Sequence, residues 1–499
     1  ITASAKRAVE EEATELLELY AKRLATPGHA CAPDTAWQHE LEAAFPYVET
    51  EDQLRAIREV KVDMERPVPM DRLICGEVGY GKTEVALRAA FKAVMGGMQV
   101  AVLVPTTVLA QQHYETFRNR LTGFPVKVEM LSRFRSKEEQ RAALPLIAAG
   151  EIDILVGTHR LLSDDITFKN LGLVIIDEEQ RFGVTHKEHL KSLRTQVDVL
   201  TLTATPIPRT LYMSLTGARD ISMIQTPPED RLPVITHVGP LDDGLVRQAV
   251  IRELERGGQV FYVHNRIESM DAIREKLYSI VPEAKVVSGH GQMDERLLES
   301  VMVAFGRGEY DVLLATAIIE NGIDIPNANT LIIDRADLFG LSQLYQLRGR
   351  VGRSAAQAYA YFFHPAHNRL TDEARMRLDS MAEYTDLGAG YQIALRDLEL
   401  RGAGGILSTR QSGHVAAIGL NLYTRMLQES VAQMKRALDG GPVDVGTPNG
   451  ASVPEPQVSA TAASITIDLP IAAYLPNDYI PEVGLRLQLY RRIGDLHSA

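Results

Sequence analysis

The sequence predicts an α/β protein of two doubly wound, parallel-sheet lobes in tandem. Three observations predict it. From about residue 45 to about residue 365, short runs rich in Val, Ile and Leu alternate with helical stretches. Residues Gly76–Thr83 (GEVGYGKT) form a phosphate cradle between one such run and a helix. About 270 residues later, Gln346–Arg353 (QLRGRVGR) carry an arginine pair of the kind that reaches a γ-phosphate from another lobe.

Taken in order, residues 3–24 read as one amphipathic helix. Val9, Ala13, Leu16, Leu17, Tyr20 and Leu24 recur at helical spacing, and Pro27, Gly28 and Pro33 end it. Leu73–Cys75, Val100–Val104, Ile152–Val156, Leu173–Ile176 and Val199–Leu202 read as buried parallel strands. Thr226–Pro233 (TPPEDRLP) reads as a linker. A second lobe follows, with strands near Gln259–Val263, Lys285–Val287, Val312–Ala315, Leu331–Ile333 and Ala358–Phe363. Residues 366–436 change to helical periodicity, broken by glycines at Arg401–Gly405. A Gly, Pro, Ala and Ser-rich stretch, residues 437–463, reads as a flexible linker, and residues 464–499 as the start of another small domain. The start at Ile1 and the helix-like Leu485–Ile493 with no clear finish suggest a fragment.

Bulk composition narrows the class. A chain of 499 residues, 45% hydrophobic and 24% charged, is ordinary globular material for two to four domains. Two cysteines, Cys31 and Cys75, exclude a disulfide framework, and a cytoplasmic setting is expected. No apolar run nears the roughly 20 residues that span a bilayer, and no signal peptide is evident, so no membrane partner is expected. A net charge of -12 argues against a protein that simply coats nucleic acid. It is compatible with a motor that needs only a local track of phosphate donors.

The segments that bear chemistry point to ATP and Mg²⁺. In the cradle, Gly76, Gly79 and Gly81 let backbone N–H groups approach phosphates, and the helix N-terminus behind them favours anions. Lys82 is expected on the β- and γ-phosphates and Thr83 on Mg²⁺. Leu173–Gln180 (LVIIDEEQ) ends an apolar strand in acids at the carboxyl edge of the sheet. Asp177 is expected to hold Mg²⁺, Glu178 to orient or deprotonate the attacking water, and Gln180 to sense the γ-phosphate. Thr203–Pro206 (TATP) follows the next strand as a candidate link between the lobes. In Ala315–Pro326 (ATAIIENGIDIP), the polar groups Thr316, Glu320, Asn321, Gly322 and Asp324 are candidates to face nucleotide and nucleic acid. Arg350 and Arg353 lie three apart, on one helical face. Gln53, after Phe45, is a candidate for an adenine edge. The nucleotide set is completed by Glu77, Val78, Tyr80 and Glu84 of the cradle.

In this order the segments resemble the superfamily 2 helicases and translocases: Gln53, GEVGYGKT, PTTVLAQQ at Pro105–Gln112, GTH at Gly157–His159, DEEQ, TATP, VHNR at Val263–Arg266, SGHG at Ser288–Gly291, TAIIENGIDIP and QLRGRVGR. The resemblance implies RecA-like lobes that hydrolyse ATP at their interface. It implies that Thr106, Thr107, Gln111, Arg133, Thr158, His159, Asn265, Arg266, His290 and Thr316 lie along nucleic acid.

DEEQRFGV at Asp177–Val184 and TATP followed by IPRTL are similar to the RecG-like duplex translocases. GYQIALRDLELRGAG at Gly390–Gly404 and QSG at Gln411–Gly413 resemble that subgroup's translocation motif, a helical hairpin and loop, with Arg396, Asp397, Arg401 and Gln411 at its polar positions. Ser408 departs from the glycine expected there. The tail Ile467–Ile493 and the helix ahead of Thr35–Ile57 resemble the bacterial transcription-repair coupling factor family.

That resemblance implies a connecting helix (1–34), an ATP-binding lobe (35–228), a second lobe (229–365), the translocation motif (366–436), the linker (437–463) and part of a regulatory domain (464–499). It implies a monomeric duplex-DNA translocase that removes stalled RNA polymerase and summons an excision-repair protein, the two protein partners being bound by modules outside this chain. A fork-reversing RecG-type helicase is the alternative, and a nucleotide-gated DNA scaffold a further one.

Overall fold

Apolar runs without polar alternation form strands covered on both faces. The computed structural model describes Arg23 and the chain onward to Arg401, except positions 24, 133–136, 184–185, 187–189, 191–192, 205–219, 230, 321–323, 354–355 and 367–369. Several expectations therefore lie outside the described residues: most of the helix over 3–24, Arg133, Asn321, Gly322, Ser408, Gln411, TATP beyond Ala204 with IPRTL, and everything from residue 402 on.

Two short helices, α1 (Ala36–Ala43) and α2 (Glu51–Met64), precede the first sheet. The start of α2 is written in TEDQ: Thr50 Oγ1 accepts from Gln53 N at 3.3 Å and Gln53 Oε1 accepts from Thr50 N at 2.9 Å, a capping box. Then come β1 (Asp71–Gly76), α3 (Lys82–Met95), β2 (Gln99–Leu103), α4 (Thr107–Arg120), β3 (Val128–Leu131), α5 (Lys137–Ala149), β4 (Ile154–Gly157), β5 (Leu171–Asp177), β6 (Asp198–Thr203) and β7 (Asp220–Ile224). They form one seven-stranded parallel sheet in the order β3-β4-β2-β5-β6-β1-β7. Successive residues alternate between its faces. Ile175 and Val102 enter the core beneath α3, while Ile176 and Leu103 enter the core on the other side.

The second lobe repeats this logic with β8 (Ile235–Pro240), α6 (Asp243–Glu255), β9 (Gln259–Val263), α7 (Met270–Ile280), β10 (Val286–Gly289), α8 (Glu295–Gly306), β11 (Val312–Ala315), β12 (Ala328–Ile333), α9 (Leu341–Arg348) and β13 (Tyr359–His364). Its six-stranded parallel sheet runs β10-β11-β9-β12-β13-β8. Helices α10 (Asp372–Glu383) and α11 (Gly390–Arg401) follow, and Leu378, Met381 and Ile393 join the core of this lobe.

The strands missing from the sequence reading are β3, β7 and β8. All three are sheet edges. An edge strand pairs on one side only, so it needs no long apolar run: VEML, DISMI and ITHVGP each keep exposed or half-buried positions.

Candidate active site

The cradle lies where β1 turns into α3. Gly79 and Gly81 hold φ of 81° and 78°, a region closed to most side chains. A Cβ on Gly81 would stand 2.4 Å from Gln53 Nε2. Gln53 is itself buried and donates from Nε2 to Tyr80 O at 3.0 Å. Its carboxamide thus joins the cap of α2 to the cradle backbone, with one N–H and one lone pair left for an adenine edge. The guanidinium groups of Arg88 and Arg120 each lie 5.3 Å from the Phe45 ring centre. Both arginines also bind Glu84 at 2.9 Å. Lys82 Nζ donates to Gly76 O and Glu77 O, both at 2.7 Å. Loss of water in the cleft pulls this ammonium down to about 8, against the pull of Asp177 and Glu178. Thr83 is half-buried on the first turn of α3.

The acids stand at the carboxyl end of β5. Burial alone would raise Asp177; a hydrogen bond from His113 Nε2 at 3.0 Å, with the charges of Lys82 and Arg350, holds it below the ordinary carboxylate range. Glu178 is the one non-glycine residue with positive φ among the described residues, at 53°. Strain of that kind is kept where surroundings over-determine it. Glu178 N donates to Leu202 O at 3.1 Å, and Gln180 Nε2 donates to Glu178 Oε2. Burial, then the Asp177 charge, raise the Glu178 carboxyl, with Arg350 opposing.

The second lobe closes the site. Beyond α9, Arg350 is 3% exposed, and burial followed by repulsion from Arg353 lowers it to about 10 while Glu178 and Asp177 stabilise its charge. Arg353 pairs with Asp324 at 2.8 Å, so two expected residues meet each other. Gly349 packs against Val78 of the cradle. Lys82, Asp177, Glu178 and Arg350, from opposite lobes, thus share one electrostatic neighbourhood.

Most of the described residues expected along nucleic acid sit at strand carboxyl ends, where ligands bind in such sheets, while Gln111, Arg396 and Arg401 lie on helices. Thr106 and Thr107 follow β2, and Thr106 Oγ1 caps α4 by accepting from Leu109 N at 3.3 Å. Thr158 and His159 follow β4, Asn265 and Arg266 follow β9, His290 follows β10 and Thr316 follows β11. Gln111 donates to Glu115 at 2.6 Å, while Asn265 and Arg266 are exposed. Arg396 is half-buried on α11, and Arg401 ends that helix.

Three residues escaped the sequence reading. His113 orients Asp177. Gln112 clamps the backbone of Asp324 across the lobes, donating to its O at 2.7 Å and accepting from its N at 3.1 Å. Arg231 of the linker donates to Val78 O and lies 5.4 Å from the Tyr80 ring centre. Gln112 belonged to a segment already marked; His113 and Arg231 carried no local signal, because their partners are distant in sequence.

The chain resembles known helicases in sequence and fold. The DEAD/DEAH box helicase family model matches residues 50–214, and the helicase conserved C-terminal domain model matches residues 245–355. A transcription-repair-coupling factor of Mycobacterium bovis is 57% identical over 494 residues, 99% of this chain and 39% of the relative. That of Bacillus subtilis is 52% identical over 484 residues, 97% of this chain and 40% of the relative. The chain thus spans about two fifths of the length of these curated relatives. Among solved structures, RecG bound to a three-way DNA junction matches with TM-score 0.70 and 33% identity, over 85% of this chain and 57% of that one. The Mycobacterium smegmatis helicase Lhr, bound to single-stranded DNA and AMP-PNP, shares the fold with TM-score 0.52 at 18% identity, over 76% of this chain and 57% of that one.

Proposed function

We propose that this chain, which belongs to the transcription-repair coupling factor family and is a superfamily 2 helicase-type ATPase, is the duplex-DNA translocase of such a factor. One observation carries the mechanism: Arg350 from the second lobe lies buried beside Lys82, Asp177 and Glu178 of the first. ATP is the substrate. The backbone of Gly79–Lys82 and the N-terminus of α3 cradle its phosphates, and Lys82 exchanges carbonyl partners for phosphate oxygens. Hard oxygen donors with an ionised carboxylate, Thr83 and Asp177, suit Mg²⁺, which would neutralise charge on the phosphates. Glu178, orientated by Gln180, accepts the proton of the attacking water. Arg350 stabilises charge as the γ-phosphoryl departs. Arg353 holds Asp324 in place.

Closing and opening of the lobes would then step them along one strand of intact duplex through the hydroxyls, amides and imidazoles at the two carboxyl edges. Backbone contacts of this kind carry little sequence preference. In the whole protein this motion would push stalled RNA polymerase off DNA and bring excision repair to the site. The RecG likeness favours a second reading, fork reversal.

The test is ATP-dependent triplex displacement on linear duplex, with Lys82→Ala as control. Displacement without strand separation is expected. Hydrolysis and movement only on forked DNA would favour fork reversal, and no DNA-stimulated hydrolysis would refute the motor.

A further inference from the structure

Glu77 occupies a variable position of the cradle, yet its carboxylate reaches neither Lys82 nor the acids. Its Oε1 accepts from Gly390 N at 2.7 Å, across 313 positions of sequence. Gly390 is the first residue of α11, so Glu77 supplies an acceptor and a negative charge to the orphan N–H end of that helix. The approach is close. A Cβ on Gly390 would stand 2.5 Å from Glu77 Oε1 and 3.0 Å from the Tyr345 ring. Gly388, two residues earlier, holds φ of 85° and lies within 3.8 Å of Tyr80 Oη by the same measure. The Glu77 charge also bears on the phenols of Tyr80, in the cradle, and Tyr345, on α9. A small cleft beside these groups, lined also by Val78, Arg231 and Arg348, has room for water.

The far side of α11 is tied to the other lobe. Ser342 Oγ, in the first turn of α9, donates to Asp397 Oδ2 at 2.6 Å, and Ile393 is buried in the second lobe's core. Helix α9 leads directly to Arg350. Thus α11 rests by its body on the helix that delivers the arginine and by its N-terminus on the loop that holds the phosphates. Lys82 grips the carbonyl of Glu77 itself. A change in what Lys82 binds, or in the separation of the lobes, must act on the peptide that bears this cap.

We propose that Glu77 is a positioning residue that couples the state of the phosphate cradle to helix α11, by capping its N-terminus when the lobes are closed and releasing it when they part. The inference rests on the motor reading above, and supplies that reading with a physical link from cradle to translocation motif.

A double-mutant cycle tests it on the full chain, using Glu77→Ala to remove the cap and Ser342→Ala to remove the hydrogen bond that ties α11 to α9, two truncations that add no atoms to a packed site. The readout is triplex displaced per ATP hydrolysed, which normalises for any loss in hydrolysis itself. Each single variant should lower this ratio by about tenfold, the scale of one charge-assisted hydrogen bond, and the double variant should be no worse than the poorer single one. In parallel, hydrogen exchange over residues 388–396 should respond to ADP with beryllium fluoride in the parent protein and not in Glu77→Ala. Multiplying losses in the double variant, unchanged ratios in both singles, or an α11 in the parent that ignores the nucleotide would overturn the coupling. Absence of DNA-stimulated hydrolysis in the parent would strike the motor reading instead.

Discussion

Asp198 opens β6 at the edge of the sheet opposite the acids and is 6% exposed. Its Oδ1 accepts from Met70 N at 2.7 Å. Burial raises its carboxyl from 3.8 to about 7, the Met70 hydrogen bond opposing and the Asp63 charge assisting. The folded state therefore holds a proton that the unfolded chain releases between those values. Stability from this group is fully present below the unfolded value and is lost as pH rises through the folded one. At about 1.4 kcal/mol per pH unit, the span from about pH 5.5 to 7 removes about 2 kcal/mol, after which the loss levels off.

Asp198→Asn keeps an acceptor for Met70 N and removes the charge. Urea unfolding at about pH 5.5 and about pH 8, followed by fluorescence of Trp37, the single tryptophan and a residue of the first lobe, measures both proteins. The variant should gain about 2 kcal/mol on the parent between the two pH values, with ATP hydrolysis unaffected. Parallel stability curves would refute the buried, protonated carboxyl.

Arg350→Ala should slow hydrolysis by about 10³-fold or more in a DNA-stimulated steady-state assay, with nucleotide still held by the first lobe. Gly81→Ala, which forces a Cβ to 2.4 Å from Gln53 Nε2 at φ of 78°, should weaken nucleotide affinity in a fluorescent-analogue titration and lower thermal stability by about 1–3 kcal/mol. Gln112→Ala removes both interlobe hydrogen bonds to Asp324, and should raise the KM for ATP by about threefold with kcat less affected, given their exposure.

The fold was legible wherever burial on both faces demanded an apolar run. LVIIDEEQ announces a central strand and the acids at its carboxyl end in eight letters, and GEVGYGKT announces the turn, the cradle and the helix behind it. The edge strands β3, β7 and β8 escaped because one open side relaxes that demand, whereas β10, also at an edge, was read from its paired valines. In the site, the residues that one element presents were readable, but those defined by a partner element were not. His113 is an unremarked position of α4 until Asp177 is seen 3.0 Å away. Glu77 reads as a cradle residue until Gly390 N is found on its carboxylate. Arg353 reads as one of a pair, yet its ion pair with Asp324 separates its contacts from those of Arg350.

The burial of Arg350 and Glu178 sharpens what Arg350→Ala can report. Glu178 is 5% exposed, and Arg350 provides the foremost opposing charge on it, as Glu178 does on Arg350. Removing Arg350 takes the strongest opposing charge from Glu178 and leaves it only the weaker influence of Lys82 and Arg181. Alanine at 350 therefore acts twice: on the departing phosphoryl group and on closure, since the lobes would then meet with the main countercharge to Glu178 missing. The two effects separate kinetically. Loss at the transition state lowers kcat at fixed KM, whereas impaired closure also raises KM for ATP. Arg350→Lys retains the charge and lacks the planar fork, so it should restore KM toward the parent while kcat stays depressed. If lysine restored kcat as well, the role of Arg350 would reduce to balancing charge, and the arginine acting on the phosphoryl group would have to be sought elsewhere.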